Sequence, residues 1–257
     1  MDNGYRDIPI VGARPGNGRN GSRRQAGHVR PGPGRSGPGA DITLVNMNLL
    51  YINLDGRIDY EAHPPLGLLY LTSVLERTGR SVDLVDYQVL PRTKPDADPF
   101  DLDTALDYIG ETAGVVGFSC MANLLPFTLL VAERFKRRHP DKTILLGGVG
   151  PFGVEARILE KFPWIDAVVR GEAESILPPL LEALPDLERL ARVPGIYLRL
   201  PDGSIRQTDG PERIADLDRL PLPAYHRLDM AAYDAFGIVS SRGCPYGCRF
   251  CSVAPVW

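Results

Sequence analysis

The chain has 257 residues, a formal net charge of −3 and 44% hydrophobic content, enough to bury one or two globular cores. None of its apolar runs reaches the about 18 residues of a membrane span, and no apolar stretch near residue 1 reads as a signal peptide. Of the 4 cysteines, three crowd together near the end, where they cannot all pair, so a disulfide-stapled scaffold is excluded and a reducing compartment is expected.

Residues 1–40 hold 10 of the 27 glycines, 5 of the 24 prolines, and 7 arginines against 2 aspartates, a net +5 that leaves −8 for the remainder. Such a segment cannot bury enough apolar surface to offset its conformational entropy, and disorder is expected. Arginine and glycine interleave over residues 18–24, but Tyr5 is the single aromatic available to stack on a base. Nucleic acid is therefore not an expected partner. A transit-peptide helix is incompatible with this much glycine and proline.

From Asp41 onward, short apolar runs alternate with helical patterns, as in a parallel sheet covered by helices. The first strand is expected over residues 42–50. Residues 65–78 place Leu66, Leu69, Val74 and Leu75 at helical spacing before Gly79, a helix-ending glycine. A second strand over 81–87, a helix over 102–111 and a third strand over 115–120 follow. Residues 124–138 form a helix with Leu124, Phe127, Val131 and Phe135 on one face and Lys136, Arg137 and Arg138 at its carbonyl end. The fourth strand spans 143–146, a short helix 155–161, and the fifth strand 167–170, before a last helix carrying Leu177, Leu180, Leu181 and Leu184. The expected fold is α/β: a doubly wound, flavodoxin-like five-stranded parallel sheet of order 2-1-3-4-5 over residues 41–190.

Right-handed crossovers put every strand's C-terminal end on one edge, where ligands bind. The loops there include Ser119-Cys120-Met121-Ala122-Asn123, Gly147-Gly148-Val149-Gly150-Pro151 and Arg170-Gly171-Glu172-Ala173-Glu174. Paired glycines let a bulky ligand approach the backbone; they are also ordinary turn residues of such a scaffold. No Gly-Lys-Ser/Thr loop occurs, which disfavours nucleoside triphosphate ligands.

Residues 191–236 read as a connecting segment, with a hairpin over 195–208 around Pro201-Asp202-Gly203. Residues 238–241 read as a further strand. Then comes Cys244-Pro245-Tyr246-Gly247-Cys248-Arg249-Phe250-Cys251, a Cys-x-x-x-Cys-x-x-Cys spacing in a turn rich in glycine and proline. Three thiolates can hold three irons of a cubane cluster, whereas protein-held clusters take four cysteines, so one iron is left open to a small molecule. A structural zinc site is the alternative; its fourth ligand would be His226, the nearest histidine. Cys120 stands apart, at the end of a buried strand, and reads as core.

The cysteine stretch resembles the cluster loop of the radical S-adenosylmethionine superfamily, including Phe250 before the third cysteine. The resemblance implies Cys244, Cys248 and Cys251 as ligands of a [4Fe-4S] cluster, with S-adenosyl-L-methionine on the open iron and an external electron donor. An open cluster and few cysteines imply a cytoplasmic location. From about residue 42 to 257, the order of pieces resembles the class in which a cobalamin-binding domain precedes the radical domain: Pro-Pro-Leu-Gly-Leu-Leu-Tyr-Leu from Pro64, Val-Gly-Phe-Ser ending at Ser119, Gly147-Gly148, and Gly171-Glu172-Ala173-Glu174. The last is often Gly-Glu-Gly-Glu in that class, so Ala173 departs from the pattern. The resemblance implies that Ser119, Met121, Gly147, Gly148, Gly171 and Glu172 lie near cobalamin. The Asp-x-His-x-x-Gly of cobalamin mutases is not matched around His63, which is not expected to ligate cobalt.

Residues 237–257 would be the start of the radical domain, fewer than the roughly 30 residues of one βα unit. The expectation is therefore the N-terminal portion of a cobalamin-dependent radical enzyme, truncated just after the cysteine motif. A cobalamin-binding module without catalysis and a flavodoxin-like protein with a zinc site are the alternatives.

Overall fold

A computed structural model describes residues 37–49, 51–54, 57–211 and 213–251. The disorder expected of residues 1–40 falls almost entirely outside the described residues; within them, Gly37–Gly39 form a single 3-10 turn.

The sheet is organised around β1 (Ile42–Asn46), whose five residues are all buried. Its neighbours are β4 (Val82–Asp86), equally buried, and β5 (Val115–Ser119), both parallel to it. β6 (Thr143–Gly147) and β7 (Ala167–Val169) continue the parallel ladder. The parallel part runs β4-β1-β5-β6-β7, which in order of the parallel strands along the chain is the expected 2-1-3-4-5. Two differences concern hairpins. Residues 51–64, for which no element was expected, contain β2 (Tyr51–Leu54) and β3 (Arg57–Tyr60), which pair with each other in a separate two-stranded sheet. The hairpin placed in the connecting segment instead joins the main sheet: β8 (Ile196–Arg199) pairs antiparallel to β7, and β9 (Ile205–Gln207) pairs to β8. Ile196, Tyr197 and Leu198 are buried there, so the hairpin covers what would otherwise be an exposed edge.

Side chains alternate between the two faces. On one, Val45, Phe118, Ile144 and Leu146 pack with α3 (Leu102–Ile109), α4 (Leu125–Arg138) and α5 (Glu155–Lys161), and with Leu90 of the short α2 (Leu90–Thr93). On the other, Ile42, Leu44, Leu84 and Leu145 pack with α1 (Leu66–Arg77), α6 (Ala173–Ala183) and Leu190 of α7 (Leu187–Leu190). Each fully buried aliphatic side chain contributes about 1.5–3 kcal/mol. Gly117 lets β5 pass close to β1, since a Cβ there would lie 3.1 Å from a methyl of Leu44.

The segment after β9 runs back along α1. Arg77 donates to the Arg219 carbonyl, Ser73 to that of Leu222, and the Ala224 amide donates to Leu69. At the start of α1, Ala62 and Asp234 exchange two hydrogen bonds of 2.9 Å each. The chain is thereby delivered to the C-terminal edge of the sheet just before the cysteines. Residues 238–241, expected as a strand, form none; they pair with no strand among the described residues. Among the described residues, no helix is long and apolar enough to cross a membrane.

Candidate functional site

The ladder ends of four strands form one row. Asp86, Asn46, Ser119 and Gly147 sit opposite one another in turn. Asn46 donates to Asp86 at 2.8 Å, Asn48 donates to Asn46 at 2.8 Å, and the Met121 amide donates to Asn48 at 2.7 Å. The Tyr233 hydroxyl, from the segment leading to the cysteines, also donates to Asp86 at 2.8 Å. Burial pushes the Asp86 carboxyl up to about 6, against the opposing pull of its hydrogen bonds from Asn46, Tyr233 and Gln88.

The loops after β5 and β6 interlock. The Gly150 amide donates to the Cys120 carbonyl at 2.9 Å. Gly148 has φ +84°, and a Cβ there would lie 2.7 Å from that same carbonyl oxygen and 2.9 Å from the Ser119 hydroxyl. Gly148 and Gly150, whose Cβ would lie 2.8 Å from the same oxygen, are required by the loop's own backbone, whereas Gly147 is not; sequence alone allowed the pair a role in ligand approach. Cys120 is buried at this junction, and burial raises its thiol to about 11. It is core, as expected.

Beyond these loops lies a cavity of about 370 Å³. Its floor includes Ser119, Gly148 and Val169, its walls Tyr70 of α1 and Glu155 of α5, and Ser241, Arg242 and Gly243 complete it from the root of the cysteine loop. Arg242 is nearly buried and forks between two buried carboxylates: it reaches Glu172 at 2.9 Å and also pairs with Glu174, with its guanidinium 5.7 Å from the centre of the Tyr70 ring. Burial disfavours its charge, but the two carboxylates more than offset this, so its pKa is raised above the ordinary arginine value. Glu172 also accepts from the Ile214 amide. Its carboxylate is thus used to hold two later segments of the chain. Gly171, at φ +93°, is closed against Pro211.

Of the residues that the resemblance implied, the structure brings Ser119, Gly148, Gly171 and Glu172 together around the cavity. Gly147 ends β6 within the ladder; Met121 is exposed but does not line the cavity, whereas Val149, also exposed, does. Tyr70, Glu155, Arg170, Glu174 and Arg242 were not singled out by sequence. Tyr70, Arg170 and Glu174 stand inside stretches quoted from the sequence, which carried a signal for them; nothing marked Glu155 or Arg242 as site residues. His63 is exposed, its ring 3.2 Å from Glu61.

Cys244 and Cys248 are exposed, Cys251 is half-buried, and all three are free thiols. The Cys251 amide donates to the Cys248 carbonyl at 3.1 Å, closing a turn between two of them. Among the described residues, no group of three or more His, Cys, Asp or Glu side chains is gathered closely enough to hold a metal ion. His226 lies against Glu76 of α1 and does not join the cysteines. The donor set is nevertheless suited to iron, being three unpaired thiols on one short accessible loop.

Residues 58–181 match the profile of the B12 binding domain. This stretch is a B12-binding domain. It opens in β3 and ends in α6, so it includes the β5, β6 and β7 loops that line the cavity. An uncharacterized methyltransferase of Pyrococcus horikoshii is 31% identical over 198 residues, covering 74% of this chain and 40% of that protein. An anaerobic magnesium-protoporphyrin IX monomethyl ester cyclase of Synechocystis is 30% identical over 222 residues, covering 82% of this chain and 43% of that protein. The chain therefore spans about two fifths of the length of these curated relatives. A solved cobalamin-dependent S-adenosylmethionine radical enzyme, OxsB, with aqua-cobalamin and S-adenosylmethionine bound, shares the fold with a TM-score of 0.60 at 19% identity, over 82% of this chain and 28% of that one.

Proposed function

We propose that this chain binds cobalamin over the C-terminal edge of its sheet and presents an iron–sulfur loop beside it, as part of a cobalamin-dependent radical S-adenosylmethionine enzyme, with methylation of an unactivated carbon as the representative outcome. The observation that carries this reading is the shared cavity. The B12-binding loops and the root of the cysteine loop line one space, and Arg242 ties them together through Glu172 and Glu174.

Cobalamin is larger than the cavity, so one part of it would enter while the rest would lie outside, on the side of Val149, with exposed Met121 on the neighbouring loop. Ser119, Gly148 and Gly171 would contact the part that enters; Glu172 would act by holding Arg242, and Gly147 by fixing the ladder end beneath. Cys244, Cys248 and Cys251 would ligate a [4Fe-4S] cluster, their loop folding round it as the metal is taken up. When bound, the cluster with S-adenosyl-L-methionine on its open iron supplies an electron for cleavage of the sulfonium, and cobalamin supplies a transferable methyl group. An external donor replenishes the electron. Free thiols and an oxygen-sensitive cluster suit the cytoplasm.

The test is anaerobic reconstitution of the chain with iron, sulfide and cobalamin. Corrin absorbance should stay with the protein, and iron should load in wild type and in Cys120→Ala but fall to background in the triple variant Cys244→Ala, Cys248→Ala, Cys251→Ala. Passage of the wild-type chain through desalting with no corrin retained would remove the cobalamin reading; full iron loading of the triple variant would remove the cluster assignment.

A further inference from the structure

One buried carboxylate oxygen at the cavity accepts no hydrogen bond. Glu155 sits in the cavity wall with its side chain only 5% exposed, and its Oε1 atom is buried without a hydrogen bond. The nearest cation, the Arg170 Nε, is 3.8 Å away, beyond hydrogen-bond reach. Arg170 is engaged elsewhere: it donates to the Tyr197 hydroxyl at 3.2 Å and lies 5.1 Å from the centre of the Phe152 ring. Arg170 and Phe152 line the same cavity.

A buried carboxylate oxygen is ordinarily satisfied, and each exception calls for a reason. Packing gives none here, since a leucine would occupy the position without burying a polar oxygen that accepts no hydrogen bond. We infer that Glu155 is a ligand-binding residue whose Oε1 accepts a hydrogen bond from an N–H or O–H group of the molecule held in the cavity. On the cobalamin reading, from which this follows, the donor is a side-chain amide of the corrin or a hydroxyl of the nucleotide tail. Oε1 has no accessible surface, so the donor reaches it as a neighbour gives way. Arg170, 37% exposed and on a long flexible stem, is the side chain able to do so.

The experiment titrates the full chain with cobalamin, and separately with cobinamide, which lacks the nucleotide tail, by corrin absorbance. Thermal unfolding without corrinoid is recorded in parallel for wild type, Glu155→Leu and Glu155→Gln. Glu155→Leu should weaken cobalamin binding about 10- to 100-fold, the range for a hydrogen bond to a charged group, while its Tm stays level or rises. Glu155→Gln keeps an acceptor oxygen and should fall between. Weakening with both ligands assigns the donor to a corrin amide, and weakening with cobalamin alone assigns it to the tail. Unchanged affinity in Glu155→Leu overturns the inference and leaves the cobalamin reading standing, as does loss of affinity and Tm together in both variants, which would mark a structural residue. If wild type binds neither corrinoid, the cobalamin reading fails and the inference falls with it.

Discussion

The cofactor cradle and the cysteine loop are built on different principles. The cradle rests on the ends of fully buried strands, and its loops are pinned to each other by backbone contacts, with Gly148 and Gly150 pressed against Cys120. The loop from Cys244 to Cys251 exposes Tyr246 and Phe250 and pairs with no strand. What holds it is a set of polar ties on the approach to it: Tyr233 to Asp86, Asp234 to Arg92, Tyr225 to Gly237, and Arg242 to Glu172 and Glu174. The cradle is therefore organised before any ligand arrives. The loop has no core of its own and takes its position from side-chain contacts, which leaves its thiols able to regroup around a metal.

If that contrast is right, damage to the cradle should register as global instability. The largest effect is expected from Gly148→Ala. Its φ of +84° is costly for any residue with a Cβ, and that Cβ would be 2.7 Å from a backbone oxygen that cannot swing aside. A loss of about 2–4 kcal/mol is expected by urea denaturation with no corrinoid present. A variant as stable as wild type would show that the β6 loop is not fixed as described. For the same reason, loss of cobalamin by a Gly148 variant would not locate the ligand.

Asp86 gives the next largest effect, and it is read against pH. Its carboxyl is raised from 3.8 unfolded to about 6 folded, so the native state binds more protons across that interval. Stability from this group is fully present below about pH 4 and is lost as pH rises through 6, a swing of about 1–3 kcal/mol. Asp86→Asn keeps an acceptor toward Asn46 and Gln88, and Tyr233 can reverse its hydroxyl to accept. The variant should be more stable than wild type at pH 7, and the difference should vanish near pH 4. Parallel stability–pH curves for the two proteins would show that Asp86 does not titrate in this range.

The parallel sheet was legible because its evidence is local and repeated: buried runs such as Ile42-Thr43-Leu44-Val45 alternate with helical stripes, and chirality leaves few strand orders. The β2–β3 hairpin was legible too, through Asp55-Gly56, a strong hairpin dipeptide, yet the reading passed over it. The destination of the β8–β9 hairpin was not, since whether a hairpin pairs with β7 depends on the edge it meets. At the site, cysteine spacing announced itself. Arg242 did not, because its meaning lies in carboxylates 68 and 70 positions earlier in the chain. Glu155 reads in sequence as an ordinary first-turn glutamate, and only its burial with an oxygen that accepts no hydrogen bond sets it apart.

The smallest effect on global stability, and the most direct test of how the two regions are joined, is expected from Arg242. Its planar fork spans two carboxylates at once, which a lysine's single ammonium cannot match. Removing one member of a buried ion group normally leaves uncompensated charge at a cost of several kcal/mol. Here that cost has an escape: the approach segment can lift and let water reach Glu172 and Glu174, so the penalty is capped by the free energy of local opening. Arg242→Ala should therefore shift the main unfolding transition by about 1 kcal/mol or less, while amide hydrogen exchange over residues 237–251 speeds up about tenfold. Arg242→Lys should lie between. Unchanged exchange in Arg242→Ala would mean the remaining ties suffice. A large drop in Tm would mean that the loop's root is part of the core, and the distinction between an organised cradle and a tethered loop would have to be abandoned.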